Sequence, residues 1–201
     1  MLNMLKQIWL VLVLSLIFGA ALAYTDQSTK QRIAENRQQQ IRELAQMATV
    51  GELVRDEKGQ AQFKIELKKL ELSDKTLVAY EVLPIGGKGP RVGYAVIGEG
   101  IGWDRLLVLI GLSPDLSKIT GLEILESRET PGLGERIKGD EFRAQYRKSA
   151  QKPLELVKST PTEDHQVMAL TGATISSEAV TAMVNTAVGK VRKAIQSNNK
   201  N

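Results

Sequence analysis

Phe63-Lys64-Ile65-Glu66-Leu67-Lys68 alternates apolar and charged residues without interruption. Successive side chains of a strand point to opposite faces, so this stretch reads as a half-buried β-strand. The period of two begins near Gly59; before it the chain has helical spacing. Downstream, Leu77–Val82 and Arg91–Ile97 read as further strands. The segment between them, Pro84-Ile85-Gly86-Gly87-Lys88-Gly89-Pro90, has the composition of a loop. Leu106–Leu112 is an apolar run turned by Ser113-Pro114-Asp115. Ile119–Glu126 alternates again, which places Ile119, Gly121, Glu123 and Leu125 on one face and Thr120, Leu122, Ile124 and Glu126 on the other. Gly139–Lys148 reads as a short helix carrying Phe142 and Tyr146, and Leu154–Lys158 and Val167–Leu170 as short strands. Ile175–Gln196 is the clearest helix, with an apolar stripe from Val180 to Ile195. Runs of strands bounded by segregated helices predict an α+β fold: a mostly antiparallel sheet with flanking helices.

Upstream, Ile8–Tyr24 (IWLVLVLSLIFGAALAY) has no charged residue, and Lys6 precedes it. The run is near the short end of what crosses a bilayer core. Two readings fit. It is either a transmembrane anchor or a secretory signal with Ala21-Leu22-Ala23 as the cleavage box. The mostly apolar lead-in Met1–Leu5 favours the anchor, and both readings put the remainder outside the cytoplasm. Thr25-Asp26-Gln27-Ser28 reads as a helix start, followed by a polar, Gln-rich helix to about Met47 with a thin stripe of Ile33, Ile41, Leu44 and Ala48. The predicted organisation is an anchor over 1–24, a helical stalk over 25–50, for which a plain first helix of the domain is the equal alternative, and a single extracytoplasmic domain over 51–201.

Composition narrows the chemistry. The formal charge is +4 over 201 residues with no basic cluster, which argues against nucleic acid as partner. There is no cysteine and one histidine, His165. Disulfides, thiolate metal sites, cysteine-ligated clusters and multi-histidine centres are therefore excluded, and no metal ligands are predicted. Redox work by this chain would need an organic cofactor.

The most informative segment is Leu170-Thr171-Gly172-Ala173-Thr174-Ile175-Ser176-Ser177, a strand end, a small-residue turn and a helix start. Unpaired N–H groups at a helix N-terminus attract anions, and Gly172 and Ala173 let the backbone approach a phosphate closely. The hydroxyls of Thr171, Thr174, Ser176 and Ser177 surround that point. A plain N-cap by one of these hydroxyls is the competing reading. A second stretch, Glu129-Thr130-Pro131-Gly132-Leu133-Gly134, taken alone is a tight loop. Trp103 follows Gly100-Ile101-Gly102, and its ring either packs at the domain edge or stacks on a ligand. Arg128 and Glu129 could pair with one another or with a ligand's edge, surface charges being the commoner case, and His165 reads as solvated.

Thr171-Gly172-Ala173-Thr174 resembles the (S/T)GAT motif of the FMN-binding domain family, found in the G component of Rnf-type complexes and in the C component of sodium-pumping NADH:quinone oxidoreductase. Glu129–Gly134 matches that family's ETPGLG loop. The resemblance implies FMN joined through a phosphoester to Thr174 by a flavin transferase. It also implies other membrane subunits as partners, location at the inner membrane, and a role as electron carrier with no catalytic residues of its own. Thr171, Gly172, Ala173, Ser176, Ser177, Glu129, Thr130, Gly132, Leu133 and Trp103 would line the cofactor. The family usually has an acidic residue where Met168 stands here, and Asp164 is the nearest upstream acid. Alternatives are an FMN-bearing reductase domain outside any ion pump, or a non-redox membrane-anchored adaptor whose turn is only an N-cap.

Overall fold

The computed structural model describes residues 2–56, 59, 61–70 and 77–198. Met1, the side chains of residues 2–7 and 198, and residues 199–201 lie outside the described residues, and with them the side chains of the Met1–Leu5 lead-in and Lys6. The chain divides into two units, 1–40 and 41–201.

A single helix, α1 (Leu2–Val50), replaces the two helical segments expected on either side of Thr25. The hydroxyl of Thr25, at the expected start, bonds backwards instead, as does that of Thr29. Thr25 Oγ1 donates to the Ala21 carbonyl at 2.8 Å and Thr29 Oγ1 to that of Thr25 at 2.7 Å, so the helix continues. In the first unit, Ile8, Trp9, Leu10, Phe18 and Leu22 are all exposed. This helix is long and apolar enough to cross a membrane by length and composition. Ile33 is also exposed, whereas Ile41 and Ala48 are buried; the thin stripe is used only beyond Gln40.

The second unit is built on a five-stranded antiparallel sheet whose order follows the sequence: β3 (Ile65–Lys69), β4 (Val78–Pro84), β5 (Gly93–Ile101), β6 (Arg105–Leu112) and β7 (Ile119–Ser127). A small hairpin of β1 (Val54–Arg55) and β2 (Ala61–Gln62) precedes it. The pair β8 (Glu155–Val157) and β9 (Gln166–Met168) is parallel. One face of the sheet packs against the C-terminal helix α3 (Thr174–Asn198), through Val180, Val184, Ala187 and Val191, together with Phe142 and Tyr146. Phe142 lies on the short helix α2 (Asp140–Ala144) and meets Tyr146 edge to face at 5.3 Å. The Tyr146 hydroxyl shares a 2.8 Å hydrogen bond with Thr181, which ties the segment after α2 to α3. The other face packs Ile65, Val82, Ala95, Leu107 and Leu109 against Ile41, Ala45 and Ala48 of α1. Covering on both faces explains why Leu106–Leu112 reads as an apolar run with no alternation.

On β7 the simple alternation fails. Leu112 pairs with Ile119 but Gly111 with Gly121, so Thr120 is an extra residue; Leu125 is another, between Ile124 and Glu126. As a result Ile119 shares the α3 face with Leu122 and Ile124, and does not share Leu125's face. Thr120 Oγ1 turns to donate to the Ala48 carbonyl at 2.8 Å. The end of α1 lies so close that a Cβ on Gly121 would stand 2.6 Å from that carbonyl oxygen, and one on Gly111 would overlap it.

The hairpin and β3 are joined to α1 by Gln46, which is fully buried. Its amide donates to the carbonyls of Glu52 at 3.1 Å and Gln62 at 3.3 Å, and its oxygen accepts the Lys64 N–H at 2.8 Å. Buried backbone groups that lose their partner carry a desolvation cost of about 1–3 kcal/mol. Gln46→Leu keeps the volume and removes all three bonds. Thermal unfolding of this variant is expected to show a loss of about 2 kcal/mol or more; a midpoint equal to wild type would mean the amide contributes packing alone.

Candidate functional site

Three connections converge at the start of α3. After β9 the chain turns through Leu170–Ala173, where the Ala173 N–H donates to the Leu170 carbonyl at 2.9 Å. Gly172, third in that turn, has φ +81°, a conformation that costs a side-chain-bearing residue. Ala173 then occupies the N-cap position, since its carbonyl accepts the Ser177 N–H at 2.9 Å. Alanine has no side-chain acceptor to cap with, and stands about 1 kcal/mol below Ser, Thr, Asn or Asp at this position. The N–H groups of Thr174, Ile175 and Ser176 have no partner among the described residues. The N-cap reading of this motif is therefore not what the turn does; it leaves an uncapped, partly positive helix end open.

The four hydroxyls divide into two pairs. Ser176 and Ser177 are fully buried. Ser177 Oγ donates to the Ala173 carbonyl at 2.9 Å and accepts the Leu170 N–H at 3.2 Å, so it closes the turn. Ser176 Oγ donates to Glu129 Oε2 at 2.7 Å. Read from the sequence as cofactor contacts, these two serines hold the backbone of the site and do not face its open side. Thr171 is exposed and Thr174 half-buried, and neither hydroxyl has a partner among the described residues. Thr174, the first residue of α3, is the free hydroxyl set directly at the uncapped amides.

The second connection follows β7. Glu129 is buried, not a surface charge: besides Ser176 it accepts the Trp103 backbone N–H through Oε1 at 3.1 Å. Arg128 stays outside and pairs loosely with Glu126 at 3.9 Å. The Thr130 carbonyl accepts the N–H groups of Leu133 and Glu135, each at 3.2 Å, which closes the loop, and Gly132 inside it has φ +75°. Thr130, Pro131, Gly132 and Leu133 are all exposed, and Leu133 borders the turn, since a Cβ on Gly172 would lie 3.7 Å from its Cδ2. A 3₁₀ turn, Gly134–Lys138, comes next and brings Arg136, a residue not singled out in the sequence. Its guanidinium donates to the Thr171 carbonyl at 2.9 Å, placing a cation on the motif. No local pattern links residues 35 positions apart.

The third connection is the β5–β6 hairpin tip with Trp103, which does not pack at the domain edge: the residue is 71% exposed. Leu133 (52%), beside Gly172, and Ile175 (45%), in the first turn of α3, are likewise exposed, next to an uncapped helix end and Arg136, and Ile101 (78%) is exposed on the hairpin. Met168, where the family places an acid, is half-buried in β9, and its N–H donates to Gln145 Oε1 at 2.7 Å. His165 is half-buried between Glu163 and Glu155, at 3.4 and 3.7 Å.

Comparison with known proteins agrees with this geometry. Residues 102–189, which span all three connections, match the FMN-binding domain family. The chain is 43% identical over 104 residues to the G component of the Na(+)-translocating ferredoxin:NAD(+) oxidoreductase complex of Acetobacterium woodii, covering 50% of this chain and 44% of that one. It is 37% identical over 108 residues to the G component of the ion-translocating oxidoreductase complex of Methanosarcina acetivorans, covering 53% and 55%. The matched region thus spans about half the length of these curated relatives. Among solved structures, the C component of the Na(+)-translocating NADH-quinone reductase of Parabacteroides distasonis shares the fold, with a TM-score of 0.54, 22% identity and coverage of 79% of this chain and 90% of that one. The loops that meet at the start of α3 therefore lie within residues that match the FMN-binding domain family, in a chain similar over about half its length to the G components of ion-translocating oxidoreductase complexes.

Proposed function

We propose that the chain is an electron-transfer subunit of a membrane-bound, ion-translocating oxidoreductase complex, with FMN esterified through its phosphate to Thr174. The observation that carries this reading is the uncapped start of α3, with a free Thr174 hydroxyl inside a domain matched to the FMN-binding family. The residues present fit the group. Three unpartnered amides and Arg136 suit a phosphate, and exposed Trp103, Leu133 and Ile175 suit a large flat apolar ring.

FMN, when bound, supplies one- and two-electron transfer, and the chain's own groups hold, orient and shield. Attachment would join the Thr174 oxygen to the phosphorus of a flavin nucleotide as that nucleotide's phosphoanhydride P–O bond breaks, the remaining nucleotide monophosphate leaving and the Thr174 proton passing to a base of the attaching enzyme. A flavin transferase would deliver that nucleotide. The domain would stand on the extracytoplasmic side of the inner membrane, with residues 1–24 as anchor, 25–40 as stalk and 41–201, the unit that includes the packed end of α1, as cofactor domain. A phosphoester prevents loss of cofactor where no FMN pool replaces it. An N-terminus at or near Met1 in protein recovered from membranes supports the anchor; one at Tyr24 establishes a cleaved signal.

The test is to produce the full chain with a flavin transferase, denature it and look for flavin fluorescence in the gel. A colourless, non-fluorescent chain would favour the adaptor reading. Co-purification with multi-span membrane subunits separates a member of a complex from a reductase domain acting alone. Within the site, Leu133 is expected to lie against the ring, so Leu133→Ala should shift the flavin midpoint potential or slow electron transfer while the covalent yield stays near wild type. Unchanged potential and turnover would reduce the Glu129–Gly134 loop to a connector.

A further inference from the structure

We infer that Glu129 is a positioning residue whose buried carboxylate ties Trp103 to the first turn of α3 and places a fixed negative charge beneath the surface that receives the flavin. The inference rests on the flavin reading above and deepens it. Both carboxylate oxygens are used: Oε1 accepts the Trp103 backbone N–H at 3.1 Å, and Oε2 accepts the Ser176 hydroxyl at 2.7 Å. Two glycines make room for it. A Cβ on Gly102 would stand 2.5 Å from Oε1, and one on Gly134 would overlap Oε2 and come within 2.7 Å of Ser176 Oγ. The hairpin tip, the loop after β7 and α3 therefore meet on this one carboxylate, 26 and 47 residues from its two partners.

The charge is the informative part. A buried carboxylate without a cation is costly, and two neutral donors offset only part of that cost. Neighbouring Arg128 pairs with Glu126 instead, and Glu129 has no ion-pair partner among the described residues; the start of α3, one bond away through Ser176, is its main compensation. A neutral Gln would serve as a tie at lower cost. A negative charge there opposes electron uptake by a neighbouring acceptor in a low-dielectric setting.

The experiment has two arms, both on the full chain. In protein made without flavin transferase, hydrogen exchange at the Trp103 backbone amide is compared for wild type, Glu129→Gln and Glu129→Ala. Exchange in Glu129→Ala is expected to be roughly tenfold faster than in wild type, while Glu129→Gln, which keeps an acceptor oxygen, stays close to wild type. In flavin-loaded protein, Glu129→Gln is expected to raise the midpoint potential of the attached flavin. Equal exchange in all three proteins would overturn the tie. An unmoved potential in a loaded, folded Glu129→Gln protein would overturn the electrostatic role. A wild-type chain that takes up no flavin would sink the function reading instead, and the exchange arm would still decide the tie.

Discussion

Thr174→Ala is expected to abolish the fluorescent band of the denatured chain. A phosphoester needs a hydroxyl that is accessible, uncommitted and beside groups that can hold a phosphate. Of the four hydroxyls at the turn, Ser176 and Ser177 are buried and hydrogen-bonded within the protein. Thr171 is free but lies in the turn, ahead of the uncapped amides. Thr174 alone combines a free hydroxyl with the first position of α3. Removing its Oγ1 and γ-methyl from a half-buried site disturbs little packing, so the domain should fold with an unfolding midpoint near that of wild type. Peptide mass spectrometry should place the FMN mass on the Thr174 peptide in wild type. A Thr174→Ala band at full strength would show that attachment lies elsewhere, and the mass spectrum would say where.

The largest effect on stability is expected at Gly111, on the opposite face from α3. A side chain here meets the Ala48 carbonyl, which is backbone at the end of a helix and cannot rotate away. The same position is crowded by Thr120 Oγ1, 2.6 Å from where a Cβ would stand, and that hydroxyl already bonds the Ala48 carbonyl. Gly111→Val must therefore lift α1 off the sheet or break the bulge in β7. Overpacking a close-fitted core costs about 1–3 kcal/mol, and losing the Thr120 bond adds about 1 kcal/mol. A loss of about 3 kcal/mol would lower the unfolding midpoint by roughly 6–12 °C in a domain of this size. Gly189→Ala on α3 is the control, because nothing lies within 4 Å of its Cβ position. Equal midpoints for Gly111→Val and wild type would mean that the packing of residues 41–50 on the sheet contributes little to stability.

Local order was readable in advance because its causes are local. Alternation at Phe63–Lys68 marks β3, the stripe from Val180 to Ile195 marks α3, and Thr171–Thr174 sits at the strand-to-helix turn as expected. The α+β class follows from the order of such segments. Where side-chain chemistry offered a local choice, the pattern was ambiguous. Thr25 bonds back into a continuing helix where a helix start is expected, and two bulges shift the faces of β7.

The meaning of Glu129 was decided at longer range. The residue type is that of an ordinary surface charge, and the register of β5, β6 and β7 together with the packing of α3 brings Trp103 and Ser176 onto its carboxylate. Arg136 reached Thr171 by the same means, through a 3₁₀ turn packed beside α3. Sequence by itself indicated most of the strands and the C-terminal helix, and a small-residue turn at the start of α3, since turn chemistry and periodicity act over a few residues. Tertiary structure alone decided which hydroxyls stay free, which charge is buried and which apolar side chains remain exposed near that turn, because burial depends on what packs from dozens of residues away.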